Sequence, residues 1–113
     1  MQDNQNHIEK AQNYVSASNA HDIAAIGPML AQDCRYVSTG VGEHKGKAAI
    51  LAMMEGFFAG NPDVHWSVPA YHMEAPDLVA FEIAITLSGK TLEGLEKISF
   101  TDDGLITCIE VIR

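Results

Sequence analysis

The sequence has little cysteine, little positive charge and no long apolar run. Its two cysteines, Cys34 and Cys108, do not make the disulfide framework that holds small secreted domains together. Only 7 basic residues stand against 15 acidic ones, and the net charge of −8 repels a phosphate backbone, so we expect no nucleic-acid partner. Because no apolar stretch approaches the roughly 20 residues of a membrane helix, we expect no membrane partner either.

The length and composition predict one globular domain. Apolar residues make up 47% of the 113 residues and charged residues 19%, which excludes a disordered or low-complexity chain. The length is that of a single domain over residues 1–113. The polar start Met1–Asn6 has neither the basic flank nor the apolar core of a signal peptide, so we expect a cytoplasmic protein.

Apolar residues spaced three and four apart predict three helices in the first half. The first runs from about Asn4 to Ala20 and carries Tyr14 on its apolar stripe. The second begins after Asp22, which can cap it, and Pro28 should shorten or kink it. The third runs from about Lys47 to Ala59 and is followed by the sequence Gly-Asn-Pro, which ends helices.

The remaining segments alternate like strands and predict an antiparallel sheet. The predicted strands are Cys34–Thr39, Val64–Glu74, Leu78–Leu87, Leu92–Thr101 and Leu105–Ile112. Pro69 implies an edge position or a bulge in the second strand. The glycine-rich segment Gly40–Gly46 is predicted to be a flexible loop. Helices lead and strands follow, in the order ααβαββββ, so the predicted class is α+β.

Glu96 is the clearest polar residue on an apolar strand face. It shares parity with Leu92, Ile98 and Phe100, and a carboxylate beside such neighbours loses hydration, so its pKa should rise. A raised pKa suits a general acid, a general base or a hydrogen-bond donor. The alternatives are a slip of the strand register, or a position at a wet rim near a lysine.

Several hydroxyl groups fall near the same predicted interior. Tyr14 should be buried, and its hydroxyl then needs a partner, which can be a backbone carbonyl or a ligand. Tyr36 and Ser38 share a face of the first strand, although Ser38 has no activating histidine–acid pair nearby in sequence. We predict that one ligand cavity is lined by Tyr14, Tyr36, Ser38, Phe58, Phe81, Ile83, Glu96 and Ile98.

The five histidines show no metal-ligand spacing. There is no HExxH or CxxC motif, and no two histidines lie four residues apart. His65 and His72 are seven apart, which points them to opposite faces of an unbroken strand unless a bulge at Pro69 intervenes. The GxGxxxG spacing of Gly40–Gly46 is not that of a dinucleotide-binding loop. The sequence therefore predicts no metal site and no cofactor.

Four short motifs follow one another along the chain in this order of elements. They are Tyr14-Val15-x-Ala17-x-Asn19-Ala20-x-Asp22-Ile23, Leu30-Ala31-x-Asp33, Gly46-Lys47-Ala48-Ala49-Ile50 and Ile98-Ser99-Phe100. The pattern resembles the nuclear transport factor 2-like superfamily, with its SnoaL-like proteins and ketosteroid isomerases, over nearly the whole chain. The resemblance implies a cystatin-like cone of curved antiparallel sheet, closed by three helices around a ligand pocket.

Among these proteins the motifs most resemble ketosteroid isomerases, which implies roles for three residues. Tyr14 falls on the family's oxyanion tyrosine, and Glu96 falls on its oxyanion carboxylic acid. The family's catalytic aspartate falls on Ser38, so the base would have to be Glu96 itself or a histidine. We expect a protein that binds a small hydrophobic molecule, with isomerase-, dehydratase- or cyclase-type proton transfer by the acid pair. The alternative is a non-catalytic module for ligand binding or dimerisation.

The resemblance also implies a homodimer, and strand parity suggests its surface. Ala84, Leu95, Ile109 and Val111 lie at parities opposite to the predicted cavity set. They would form an exposed apolar patch unless a second copy covered them.

Overall fold

Three helices form where the apolar spacing predicts them. The computed structural model describes the backbone of residues 2–112 and the side chains of residues 6–112. Helix α1 spans Gln2–Asn19, α2 spans Ile23–Ile26 and α3 spans Lys47–Gly60. Asp22 caps α2 by accepting a hydrogen bond from the Ala25 N–H at 3.1 Å. The helix α2 is short because a 3-10 turn with proline in its first turn, Gly27–Met29, follows at once.

Within residues 2–112, seven strands form one curved sheet that does not close. They are β1 (Leu30–Ser38), β2 (Gly42–Lys45), β3 (His65–Ser67), β4 (Tyr71–Ala75), β5 (Leu78–Leu87), β6 (Lys90–Phe100) and β7 (Ile106–Ile112). The strand order is β2-β1-β7-β6-β5-β3, and β4 also pairs with β5. The structure thus confirms the α+β class and the curved sheet with three helices.

The prediction that the sheet is purely antiparallel was wrong for one strand pair. The strands β1 and β7 are parallel, whereas the other pairs are antiparallel. Two successive hairpin-like pairings, β5 with β6 and β6 with β7, fix the direction of β7. Because β7 then pairs with a strand from the far end of the sequence, local patterning does not determine the relative direction of the two.

The prediction of a flexible loop at Gly40–Gly46 was also wrong. Residues Gly42–Lys45 form β2, which pairs with β1, and Arg35 and Glu43 join the two strands by an ion pair of 2.9 Å. Gly42 and Gly46 have φ angles of +82° and +92°. Glycine adopts such angles without steric cost, so the chain can turn sharply at both ends of the strand.

Pro69 divides the predicted strand Val64–Glu74 into β3 and β4. Both pair with β5, and β3 lies at the end of the strand order, in agreement with the predicted edge position. The break changes the side-chain parity between the two pieces. As a result His65 and His72 are both exposed, as the bulge alternative required.

The predicted outer apolar patch was wrong for two of its four residues. Ile109 is fully buried and Val111 is 5% exposed, because both point to the helix-covered face. Ser99 pairs with Cys108 while Phe100 pairs with Ile106, so an extra residue bulges out of β7. A bulge of one residue moves every later side chain to the opposite face. Ala84 and Leu95 remain half-buried.

Candidate functional site

A cavity of about 90 Å³ opens between α1, α3 and the inner face of the sheet. Its walls are mainly aromatic, aliphatic and methionine side chains, and no charged residue lines it among the described side chains. Apart from the Trp66 indole, its polar side chains are four hydroxyls, contributed by Tyr14, Ser18, Tyr36 and Ser38. Apolar pockets with a few converging polar groups are typical of small-molecule sites.

Half of the predicted cavity residues line this space. Tyr14, Tyr36, Ser38 and Phe58 belong to the wall. The other four are buried outside the lining: Phe81, Ile83, Glu96 and Ile98. The sequence reasoning missed the wall residues Ser18, Met53, Met54, Phe57, Trp66, Ile85, Leu87, Leu92 and Val111, together with Gly40 and Val41.

Glu96 lies in a row of paired residues across four neighbouring strands. The register pairs Tyr71 with Phe81, Phe81 with Glu96, and Glu96 with Val111. Directly paired residues share one face of a sheet, so Glu96 points to the same side as Val111, which lines the cavity. Glu96 is only 3% exposed, which excludes the wet-rim alternative. The neighbouring lysine, Lys97, instead pairs with Glu74 at 3.2 Å.

Burial dominates the electrostatics of Glu96 and of Tyr14. Loss of hydration raises the pKa of the Glu96 carboxyl from 4.5 to about 8, so at pH 7 it is mainly a neutral acid. The pKa of Tyr14 is raised well above 10, first by loss of hydration and then by the nearby Tyr36 and Glu96. A hydrogen bond with the Ser18 side chain partly opposes that rise. Tyr14 therefore remains a protonated donor at neutral pH.

Tyr71 is a neighbour of Glu96 that the sequence did not reveal. The half-buried Tyr71 has a raised pKa, caused by loss of hydration and then by Glu96. Tyr14 and Tyr71 both interact electrostatically with Glu96, and Tyr36, the third tyrosine of the chain, interacts with Tyr14. Ser18 could have been found from its position four residues after Tyr14 on one helix face. Tyr71 could not, because the break at Pro69 hides its register.

Ser38 has a structural partner of its own. Its Oγ accepts a hydrogen bond from the Gly40 N–H at 3.1 Å, which stabilises the turn between β1 and β2. The described cavity wall contains neither a histidine nor a carboxylate that could activate this hydroxyl. The wall therefore supplies donors for an oxygen atom but no strong base for a carbon-bound proton.

Asn19 holds the backbone of Trp66, whose indole lies in the cavity wall. The Asn19 side-chain amide donates to the Trp66 backbone carbonyl at 2.9 Å, and its Oδ1 accepts from the Trp66 backbone N–H at 2.7 Å. Beside it, the His21 ring stacks on Phe58 with centroids 4.5 Å apart. The end of α1 thus ties the short edge strand β3 to the helices and closes one side of the cavity.

Neither a metal-ligand cluster nor a membrane-crossing helix occurs in the part of the chain that the structure describes. No group of three or more histidine, cysteine, aspartate or glutamate side chains could hold a metal ion there. None of the described helices is long and apolar enough to cross a membrane.

The sequence matches one known family over most of its length. The profile of the SnoaL-like domain family matches residues 11–109. No curated protein sequence matches the chain.

Solved structures with the same fold are similar over almost the whole chain. SalBIII, an epoxide hydrolase/cyclase-like enzyme with a role in pyran ring formation in the polyether salinomycin, has a TM-score of 0.85 at 19% identity, covering 99% of this chain and 93% of its own. An uncharacterised cystatin-fold protein from Novosphingobium aromaticivorans has a TM-score of 0.83 at 18% identity, with 95% and 97% covered. A candidate ketosteroid isomerase from Kribbella flavida has a TM-score of 0.83 at 19% identity, with 95% and 76% covered. At identities this low, the TM-scores show that the fold is shared.

Proposed function

The chain belongs to the SnoaL-like domain family, and on that premise we propose that it binds a small, mainly apolar molecule carrying one oxygen acceptor. The observation that carries this proposal is the uncharged cavity in which the Tyr14 hydroxyl is backed by the buried acid Glu96. Apolar walls favour an apolar ligand, and the hydroxyls give it a fixed orientation.

The size of the cavity limits the ligand. An apolar protein cavity of about 150 Å³ binds benzene, so the 90 Å³ here holds only part of a six-membered ring, and the rest of such a ligand lies in the mouth. Val41 and Leu92 belong to the wall and are 36% and 37% exposed, so they mark its mouth. A larger ligand would extend past these two apolar side chains.

The chemistry we propose is donation of a proton towards the ligand oxygen. Tyr14 donates a hydrogen bond to that oxygen, and Glu96 lies near it as a second group that is protonated at neutral pH. Carbonyl and epoxide oxygens both gain from such donors as negative charge develops on them. The descriptions of SalBIII and of the candidate ketosteroid isomerase agree with chemistry at an oxygen, at the level of a shared fold.

Binding of matched one-ring ligands tests the donor. We expect Tyr14→Phe to weaken the binding of cyclohexanone about tenfold and to leave the binding of methylcyclohexane unchanged, because one net hydrogen bond contributes about 1 to 1.5 kcal/mol. The control Thr86→Val removes an exposed hydroxyl outside the cavity and should leave both affinities as in the wild type. Equal losses for ketone and hydrocarbon in Tyr14→Phe would contradict the proposal.

Turnover of 3-cyclohexen-1-one separates catalysis from binding. Its isomerisation to the conjugated ketone is followed by ultraviolet absorption. A rate above buffer that is lost in Glu96→Gln supports proton transfer by the acid pair. Ketone binding that depends on Tyr14, without turnover, supports the non-catalytic binding module instead.

We also propose that the protein is a homodimer that associates through the outer face of the sheet. Leu95 and Ile112 are register partners, and Ile112 is 47% exposed although it is a large apolar residue. A second copy would remove this pair from water. Light scattering should give a dimer mass for the wild type and a lower mass for Ile112→Lys. A wild-type monomer at high concentration would refute this proposal.

A further inference from the structure

We propose that Tyr71 is a positioning residue that connects Glu96 to solvent and allows its proton to exchange while a ligand fills the cavity. The inference rests on the proposed function, in which Glu96 serves as the acid behind Tyr14. It assigns Glu96 a second tyrosine neighbour, on the side of the carboxyl that faces away from the ligand.

The register places Tyr71 on the β5 side of Glu96, opposite Val111, which lines the cavity together with Tyr14. Val111, the partner of Glu96 on β7, lines the cavity, whereas Phe81, its partner on β5, does not. Tyr71 follows Phe81 in the same row, on β4, which pairs with β5 alone among the described strands. Its ring contacts the Phe81 ring with centroids 4.8 Å apart and planes tilted by 46°. A tyrosine that lies against Phe81 can reach past it to the carboxyl on the next strand.

The exposure of the three side chains also favours proton exchange through Tyr71. Glu96 is 3% exposed and Tyr14 is 4% exposed, while Tyr71 is half-buried. Tyr14 also faces the cavity, so a bound ligand covers it. Of the two tyrosines beside Glu96, Tyr71 is therefore the one that keeps access to water when the site is occupied.

The charged and titratable neighbours of Glu96 are few. Electrostatic interaction with Glu96 is found for Tyr14 from α1 and Tyr71 from β4, and Tyr36 from β1 acts on Tyr14. Both tyrosines have a raised pKa and are neutral near pH 8. A neutral phenol can donate and accept a hydrogen bond at once, so it can relay a proton without holding a charge.

The relay balances in protons. Tyr14 gives its proton to the ligand oxygen and takes the proton of Glu96, which leaves Glu96 ionised. Tyr71 then gives its hydroxyl proton to Glu96 and takes one from water. The three side chains end as they began, and one proton has passed from solvent to the ligand.

Carbon-13 NMR of glutamate labelled at Cδ tests the relay directly. The signal that disappears in Glu96→Gln identifies the residue, and its line shape at the titration midpoint gives the rate of exchange between its two protonation states. The measurement is made with cyclohexanone at saturating concentration. We expect Tyr71→Phe to slow the exchange about tenfold or more, and Tyr71→His, which restores a proton-carrying group, to recover most of it.

Thr86→Val is the matched control, because it removes an exposed hydroxyl of β5 that does not line the cavity. We expect it to leave the exchange rate of Glu96 unchanged. An equal rate in Tyr71→Phe and the wild type, with Glu96 titrating near 8, would overturn the role of Tyr71 alone. Titration of Glu96 near 4.5, or no binding of cyclohexanone, would overturn the proposed function and with it this inference.

Discussion

Replacement of Glu96 by glutamine should change how the stability of the protein depends on pH. The carboxyl has a pKa of about 8 in the folded protein, against 4.5 in the unfolded chain. Below pH 4.5 both states hold the proton, and the residue adds no pH dependence. Between pH 4.5 and about 8 only the unfolded chain releases it, so rising pH favours unfolding. Above pH 8 the full penalty is present.

The size of the effect follows from the same two values. Each pH unit between them contributes about 1.4 kcal/mol, so the wild type should lose about 4 kcal/mol from this residue between pH 5 and pH 9. This is a large share of the roughly 5–15 kcal/mol by which domains are stable. Glutamine has a similar shape and does not titrate, so Glu96→Gln should be similar to the wild type at pH 5 and clearly more stable at pH 9.

Urea unfolding at a series of pH values measures the difference. Trp66, the single tryptophan, is half-buried in the cavity wall and reports unfolding by fluorescence. The gap in free energy of unfolding between variant and wild type should widen steadily from pH 5 to pH 8 and then level off. The other titrating groups are the same in both proteins, so their contributions cancel in the difference between the two free energies of unfolding. If the two curves stay parallel over the whole range, Glu96 is not a buried acid of raised pKa.

Three further predictions test other parts of the structure. Burial raises the pKa of the Cys34 thiol to about 12, so at pH 8 it should react with a disulfide reagent about a thousandfold more slowly in the folded protein than in urea; equal rates would show an open site. Asn19→Ala leaves both backbone groups of Trp66 without their partners and should cost about 2 kcal/mol in urea unfolding, with little loss arguing that water replaces the amide. Ser88 has a φ of 52° in a two-residue hairpin turn, so Ser88→Gly should raise thermal stability by about 0.5 kcal/mol, and a lower melting temperature would contradict that strain.

The sequence by itself determined most of the helices and strands and the burial of the Glu96 carboxyl. The spacing of apolar residues located α1 and α3 to within two residues at every end, and the alternation in β5 gave both its bounds, Leu78 and Leu87. The alternation in β6 placed Glu96 on the apolar face of that strand, and Glu96 is buried there. These features follow from local periodicity, because side chains repeat every 3.6 residues in a helix and every two in a strand.

The tertiary structure alone decided which residues meet. Pairing of β1 with β7 in parallel, and the bulge that buries Ile109 and Val111, depend on contacts between residues far apart in sequence. The same is true of the row that joins Tyr71 to Glu96 across β4, β5 and β6, since its register is set by Pro69 and by the strands on either side. Periodicity fixes the face on which a side chain lies, but the partner across that face is chosen by non-local pairing and packing, and it was this choice that put Tyr71 beside the buried acid.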